Sequence, residues 1–516
     1  MNRDYIPLAL IVMDGWGEAP PSEWNAVRNC RPGNFEAFRA GYPFTLLDAS
    51  GEAVGLPEGQ IGNSEVGHLC LGAGRVVLQD LPRITKAVRT GELKRNAALI
   101  VAMESARGSG GALHLLGLFS TGGVHSHVDH LRALIEMSHE RGVPRVFVHA
   151  FLDGRDVPPK SALALMREYE ADPRTADARI ATVQGRFYGM DRDTRWERIE
   201  KGWRAIVRGE GLPVRSGVEA IERAYERGET DEFVQPSVVL DGDGRPVGTV
   251  RDGDAIIHFN FRADRAREMT RALALEEFTH FDRGARPKLS AFCCLTEYDP
   301  TFGLPAAFPS RSPDRVFGEV IAEAGLRQVR MAETEKYAHV TYFFNGGRER
   351  PFDREQRVLV PSVRKVPTYD LRPEMSAPAL MDQVLDRIRG NADDFMLVNF
   401  ANPDMVGHTG VYEAALKACR TVDESVGRIV KEILSRGGLA VVTSDHGNAE
   451  QLYDPSTHGP HTAHTTNLVP CIFVSDKLRG RRLREGGRLG DIAPTLLELL
   501  EIPQPPQMEG RSLLVP

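Results

Sequence analysis

The sequence predicts an α/β protein of two domains, one inserted into the other, and three observations carry that prediction. Short apolar runs without period-two alternation recur along the 516 residues, separated by helix-length amphipathic stretches, as expected of strands buried on both faces of a parallel sheet. Polar residues able to do chemistry follow most of these runs directly. Their types also segregate: the two ends of the chain supply Asp, Ser and His, and the middle supplies Arg.

In chain order, the runs at 8–13, 113–119, 146–151, 180–183, 255–259, 395–400, 439–443 and 469–474 read as buried parallel strands. The stretches 131–140, 377–389 and 414–434 are helical in period, and strand alternating with helix means an α/β sheet. Open sheets of this kind bind ligands outside the carboxyl ends of their strands. The polar clusters that follow the runs therefore read as sites: Asp14, His125, Arg155 with Asp156, Arg262 with Arg265, Asp404 with His408, and Asp445 with His446. If the Asp, Ser and His set converges, the chain ends must form one domain, 1–77 and 308–516, around an insert, 78–307. The segment 241–246 reads as a hairpin turn.

Composition narrows the function. With 41% hydrophobic and 26% charged residues the chain is globular, not disordered. A net charge of -7 weighs against coating nucleic acid or an anionic membrane, and the 7% of aromatics lack basic interleaving. The apolar stretch from Ile6 contains Pro7 and stops at Asp14, too short for a signal peptide or a membrane span. Six cysteines form no C-x-x-C pair, which fits a reducing compartment and leads us to expect a cytoplasmic protein.

The terminal set of Asp14, Asp404, His408, Asp445, His446 and His464 supplies enough mixed oxygen and imidazole ligands for two divalent ions of the Mn²⁺ or Zn²⁺ kind. His461 rivals His464, and spacing alone does not choose between them. Ser64 lies in a Gly-flanked turn before a predicted helix; beside metal ions its hydroxyl is a candidate nucleophile, although an N-cap serine is commoner. No Gly-x-Ser-x-Gly elbow surrounds it. In the middle of the chain Arg155, Arg186, Arg192, Arg262 and Arg265, with His125 and Asp156 among them, suit a small substrate bearing phosphate and carboxylate. Ion pairing with Asp153, Asp156, Asp191, Asp193 or Asp264 is the plainer alternative. Lys336 is a candidate cation for a transferred phosphoryl group, or else a surface partner of Glu333 or Glu335. No P-loop and no dinucleotide fingerprint occurs, so no nucleotide is expected.

These motifs, together with the segments 13–17, 49–57, 122–127, 151–159, 185–193, 259–265, 333–347, 399–408 and 443–450, closely resemble the cofactor-independent phosphoglycerate mutases of the alkaline phosphatase-like superfamily. The resemblance implies a phosphatase-like metal domain interrupted by a substrate-binding phosphotransferase domain. It implies two Mn²⁺-type ions, one held by Asp404, His408 and His464, the other by Asp14, Ser64, Asp445 and His446. It further implies that Ser64 carries the phosphoryl group between the hydroxyls of glycerate in an isomerase reaction that needs no bisphosphoglycerate. His125, Arg155, Asp156, Arg186, Arg192, Arg262, Arg265 and Lys336 match the family's substrate positions, with Asp156 a proton acceptor and Lys336 a charge stabiliser. A monomer is the family's usual form. A metal-dependent phosphatase or phosphopentomutase of the same superfamily is the nearest alternative, and a metal-dependent anion-binding protein is the non-catalytic one.

Overall fold

The computed structural model describes residues 1–310 and 312–515. Two compact units emerge from it, Met1–Gln79 with Ser312–Pro516, and Asp80–Arg311. The return boundary falls beyond the Ala306–Phe308 strand because that strand pairs in parallel with Ala291–Thr296 in the sheet of the second unit.

Each unit is built on an eight-stranded sheet. The order in the first is Glu355–Val360, Gln328–Glu333, Phe395–Phe400, Leu8–Met13, Leu439–Thr443, Val469–Val474, Phe44–Asp48 and Gly487–Arg488. In the second it is Ala306–Phe308, Ala291–Thr296, Ala255–His258, Leu113–Phe119, Val146–Leu152, Ala178–Gly185, Ser237–Val239 and Leu212–Val214. All eight runs read as strands are strands, and their burial, complete but for the half-buried Phe147, explains the missing alternation. One expectation is corrected. Val469–Val474 runs antiparallel to both of its neighbours, because an uninterrupted apolar run reports burial on two faces and carries no information on direction.

The Gln328–Glu333 and Glu355–Val360 strands escaped the sequence reading because charged residues interrupt their apolar pattern. Arg330 is fully buried in the first of them, its guanidinium 4.9 Å from the Phe344 ring and 5.5 Å from that of Phe395, a placement that cation–π contact makes tolerable. The helices follow their periodicity. Ala377–Arg389 buries Ala377, Leu380, Met381, Val384, Leu385 and Ile388, and each Leu, Val or Ile of that stripe contributes roughly 1.5–3 kcal/mol of burial. The predicted turn at 241–246 is present, with Asp241 N donating to Arg245 O at 2.8 Å. Among the described residues all six cysteines are free and buried, and no helix is long and apolar enough to cross a membrane.

Candidate functional site

Leu8–Met13 lies between Phe395–Phe400 and Leu439–Thr443 in the first sheet, parallel to both. Whatever follows these three strands therefore meets at one edge. Asp14 follows the first, Asp404 sits on the Asn402–Gly407 helix after the second, and Asp445 and His446 follow the third. Ser64 joins them as the first residue of the Ser64–Ala73 helix. The N-cap is Asn63, whose side chain accepts from Val66 N at 3.1 Å, so the capping role falls to Asn63 and the Ser64 hydroxyl is left available. Ser64 Oγ stands 3.0 Å from His446 Nε2 and 3.3 Å from Asp14 Oδ1, and accepts from Lys336 Nζ at 2.7 Å.

Lys336 is buried, not a surface partner of Glu333 or Glu335: its ammonium donates to Asp14 at 2.8 Å and to Asp404 at 2.7 Å. Asp404 Oδ1 lies 3.1 Å from His408 Nε2 and 3.0 Å from His464 Nε2, and accepts from Asn448 Nδ2 at 2.9 Å. His464 stacks on His446 with ring centroids 3.8 Å apart. In space His464 enters this cluster, whereas His461 lies outside both groups of residues able to hold a metal ion; so does His408, which meets the cluster through Asp404. Those groups are Asp404, His446 and His464, and Asp14, Asp445 and His446, with ligand atoms within 4.8 Å of one another in each.

The donor set fits divalent cations. Both carboxylate oxygens of Asp445 are buried and lack a hydrogen bond, since His68 Nδ1, although 3.2 Å away, donates to Ser64 O at 2.9 Å. A buried carboxylate left so is costly unless a cation meets it. The same excess of negative charge governs the bases. Burial opposes the charge on His446, but Asp445, Asp14 and Asp404 outweigh it and push the pKa up to about 9. Burial likewise opposes the Lys336 ammonium, and Asp14, Asp404 and Asp445 reverse the sign and raise it. Protons occupy positions that this site offers to metal ions.

Several supporting residues carried no signal in the sequence reading. His68 lies one helical turn after Ser64, and Asn399 Nδ2 donates to Asp14 Oδ2 at 2.8 Å. Glu450 accepts from Gly17 N at 3.0 Å, Asn448 N at 2.8 Å and Asn467 Nδ2 at 2.9 Å, tying three loops of the site together. Asn399 lies five residues before Asp404 and Glu450 four after His446, but the groups they bind, Asp14, Gly17 and Asn467, come from other segments, and only the helical four-residue interval from Ser64 to His68 was open to inference. Gly67 shows how closely the parts fit: a Cβ there would lie 2.8 Å from Asp445 O. Gly67→Ala is expected to push the Ser64 helix off Asp445 and to lower turnover by roughly 100-fold, the effect of about 1 Å of misplacement. Steady-state kinetics at unchanged thermal stability checks it.

The second unit gathers the arginines. Arg186 is buried and donates to Asp153 Oδ1 at 2.7 Å and Asp156 Oδ2 at 2.5 Å, with His125 Nε2 3.1 Å from its other nitrogen. Arg192 and Arg262 both reach Asp264, at 3.0 and 3.2 Å. Arg155 lies 3.5 Å from Glu232, and Arg265 donates to Met190 O at 3.1 Å. A cavity of about 180 Å³ is lined by Arg155, Arg186 and Arg265 among others. Burial and Arg186 hold the His125 pKa down to about 4, so that imidazole is neutral at physiological pH. Neighbouring arginines also lower the pKa of Arg265 beyond the effect of burial, which marks a positive field suited to an anion.

An α/β unit with a serine hydroxyl among two Asp/His groups able to hold metal ions has the arrangement of the metal-assisted phosphoryl-transfer enzymes. Two family models match the chain: BPG-independent PGAM N-terminus over residues 84–300, and type I phosphodiesterase / nucleotide pyrophosphatase over residues 299–459. The 2,3-bisphosphoglycerate-independent phosphoglycerate mutase of Moorella thermoacetica is 55% identical over 511 residues, covering 99% of this chain and 98% of that protein. A Methanosarcina acetivorans protein named 2,3-bisphosphoglycerate-independent phosphoglycerate mutase 2 is 51% identical, covering 100% and 98%. Among solved structures, a Leishmania mexicana phosphoglycerate mutase at low cobalt concentration is similar with a TM-score of 0.58 and 35% identity, covering 98% of this chain and 97% of that one. The chain belongs to the 2,3-bisphosphoglycerate-independent phosphoglycerate mutase family.

Proposed function

We propose that this chain interconverts 3-phosphoglycerate and 2-phosphoglycerate, a step of glycolysis and gluconeogenesis, through a phosphoserine on Ser64 and without bisphosphoglycerate. The observation that carries this reading is the placement of Ser64 Oγ among Lys336, His446 and Asp14 in a chain whose full-length relatives bear that name. Ser64 Oγ attacks phosphorus as the bond from phosphorus to the 3-oxygen of glycerate breaks, and the proton lost by the serine hydroxyl ends on the freed 3-oxygen. The 2-hydroxyl then attacks the phosphoserine, giving its proton to Asp156 as the bond from phosphorus to the serine oxygen breaks, and return of that proton to the serine oxygen closes the cycle.

The reading assigns two Mn²⁺ ions, one to Asp404, His408 and His464 and one to Asp14, Ser64, Asp445 and His446; when bound they supply polarisation of phosphoryl oxygens and a more acidic serine hydroxyl. Lys336, already paired with Ser64 and two carboxylates, stabilises charge on the transferred group. The Met1–Gln79 and Ser312–Pro516 unit is then the metal-binding phosphatase-like domain, and Asp80–Arg311 the substrate-binding phosphotransferase domain. In the latter, His125, Arg155, Arg186, Arg192, Arg262 and Arg265 hold the phosphate and carboxylate of the substrate. We take the enzyme to be a cytoplasmic monomer with no nucleotide, nucleic-acid or membrane partner.

Phosphorus NMR of the protein with Mn²⁺ and 3-phosphoglycerate tests the reading. A stable mixture of the two phosphoglycerates, abolished by a chelator, supports it; steady release of inorganic phosphate overturns it in favour of a hydrolase. The same experiment on Arg262→Ala is expected to show weaker retention of glycerate, with free phosphate rising relative to 2-phosphoglycerate. The Arg262 side chain is half exposed and pairs with Asp264, and Arg262 belongs to neither group able to hold a metal ion, so its loss is expected to leave the metal cluster intact.

A further inference from the structure

Arg192 and Arg265 sit on two segments that three hydrogen bonds fasten together. Arg192 Nη1 donates to Asp264 Oδ2 at 3.0 Å, Arg265 Nη1 donates to Met190 O at 3.1 Å, and Thr194 N donates to Glu268 Oε1 at 3.0 Å. The third bond differs from the others because neither of its partners belongs to the proposed substrate set. Glu268 lies in the first turn of the Arg267–Ala274 helix and is only 6% exposed, and its Oε2 is buried without a partner.

The bond has work to do, because Thr194 has a φ of 60°, a left-handed conformation costly for a β-branched residue and kept only where its surroundings impose it. On the other side of the turn, Asp191 Oδ2 accepts from Asp193 N and Arg195 N, both at 2.9 Å. Asp191 and Glu268 thus grip one strained turn from two sides, and Arg192 projects from it. Asp191, Asp193 and Arg265 line the cavity that Arg155 and Arg186 also border.

We propose that Glu268 is a positioning residue for anion binding: through the Thr194 amide it fixes the turn so that Arg192 and Arg265 are presented together. The inference rests on the substrate reading above and assigns Glu268 no contact with substrate. Its ionisation adds a pH signature. Burial pushes the Glu268 carboxyl up to about 7, with the Thr194 amide opposing the rise and Asp191 and Asp193 adding to it. Arg198 donates to Asp191 at 3.1 Å, Arg195 lies in the same turn and Arg265 and Arg267 precede Glu268, and His125 stays neutral over the same range. As pH rises through neutrality, Glu268 gains a negative charge one hydrogen bond away from the turn that carries Arg192, so affinity for an anion held by that arginine falls.

The test uses calorimetric titration with 3-phosphoglycerate in a Ser64→Ala background, which cannot turn over, and steady-state kinetics in the Mn²⁺-loaded protein with Ser64 intact. Glu268→Ala is expected to weaken binding and raise KM about tenfold, the scale of one lost buried hydrogen bond, with kcat little changed. Glu268→Gln keeps the acceptor for Thr194; it is expected to bind like the parent at pH 6 and to lose the parent's additional fall in affinity between pH 6 and 8. Unchanged binding in Glu268→Ala, or a pH profile in Glu268→Gln that tracks the parent, overturns the proposal. Should Glu268→Ala fail to fold, the Glu268→Gln profile decides alone. A parent protein that binds 3-phosphoglycerate without isomerising it removes the mutase reading but not this comparison, whereas a parent that binds none removes both.

Discussion

Ser64→Ala is expected to abolish isomerisation while 3-phosphoglycerate still binds. Ser64 Oγ is the one hydroxyl within hydrogen-bonding reach of Lys336 Nζ and His446 Nε2 among the described contacts. Its backbone is fixed independently, by the Asn63 cap and by the bond from His68 Nδ1 to Ser64 O. Removing the oxygen therefore deletes the phosphoryl acceptor and leaves the helix start in place. A drop in kcat of at least about 10⁴-fold is the scale seen when a nucleophile is removed from a cooperating set. Phosphorus NMR of the variant would show 3-phosphoglycerate unchanged over many parental turnover times, and calorimetry would show retained binding. Ordinary turnover in this variant would falsify the phosphoserine route.

Asp445→Asn should have the next largest effect. The substitution keeps the shape and takes away the charge of a carboxylate whose two oxygens are buried and accept no hydrogen bond, with His68 Nδ1 at 3.2 Å and His446 Nε2 at 3.8 Å. Metal affinity at the Asp14, Asp445 and His446 group is expected to fall at least about 100-fold, the upper range for the loss of even a group that only orients a ligand. Turnover should fall with it. Metal content after dialysis, measured by mass spectrometry, separates this from a folding defect: a well-folded variant that retains the parental metal content would remove Asp445 from the ligand set.

Most of what the sequence reading recovered depends on local pattern. The convergence of Asp14, Asp404, Asp445 and His446 was legible because each follows a buried strand within four residues, and the position of a residue after a strand is a one-dimensional property. Where the signal depended on a second segment, it was absent. Nothing near Asn399 in sequence shows that its amide meets Asp14, 385 positions away, and Glu450 resembles any surface glutamate until three loops close on it. Lys336 illustrates the same limit from the other side. Its neighbours in sequence, Glu333 and Glu335, offered an ordinary surface pair, while its partners in space are Asp14 and Asp404.

By itself, then, the amino-acid sequence determined the fold class, the positions of eight buried strands and the types of residue that follow them, because burial and periodicity are written in consecutive residues. Tertiary structure alone decided the antiparallel course of Val469–Val474 and the entry of His464, not His461, into the cluster. It also decided the transfer of the capping role from Ser64 to Asn63 and the bracing of Thr194 by Glu268. Each of these depends on which distant backbone or side chain arrives within about 3 Å, the reach of a hydrogen bond, and that distance is set by sheet order and loop closure rather than by any neighbour along the chain.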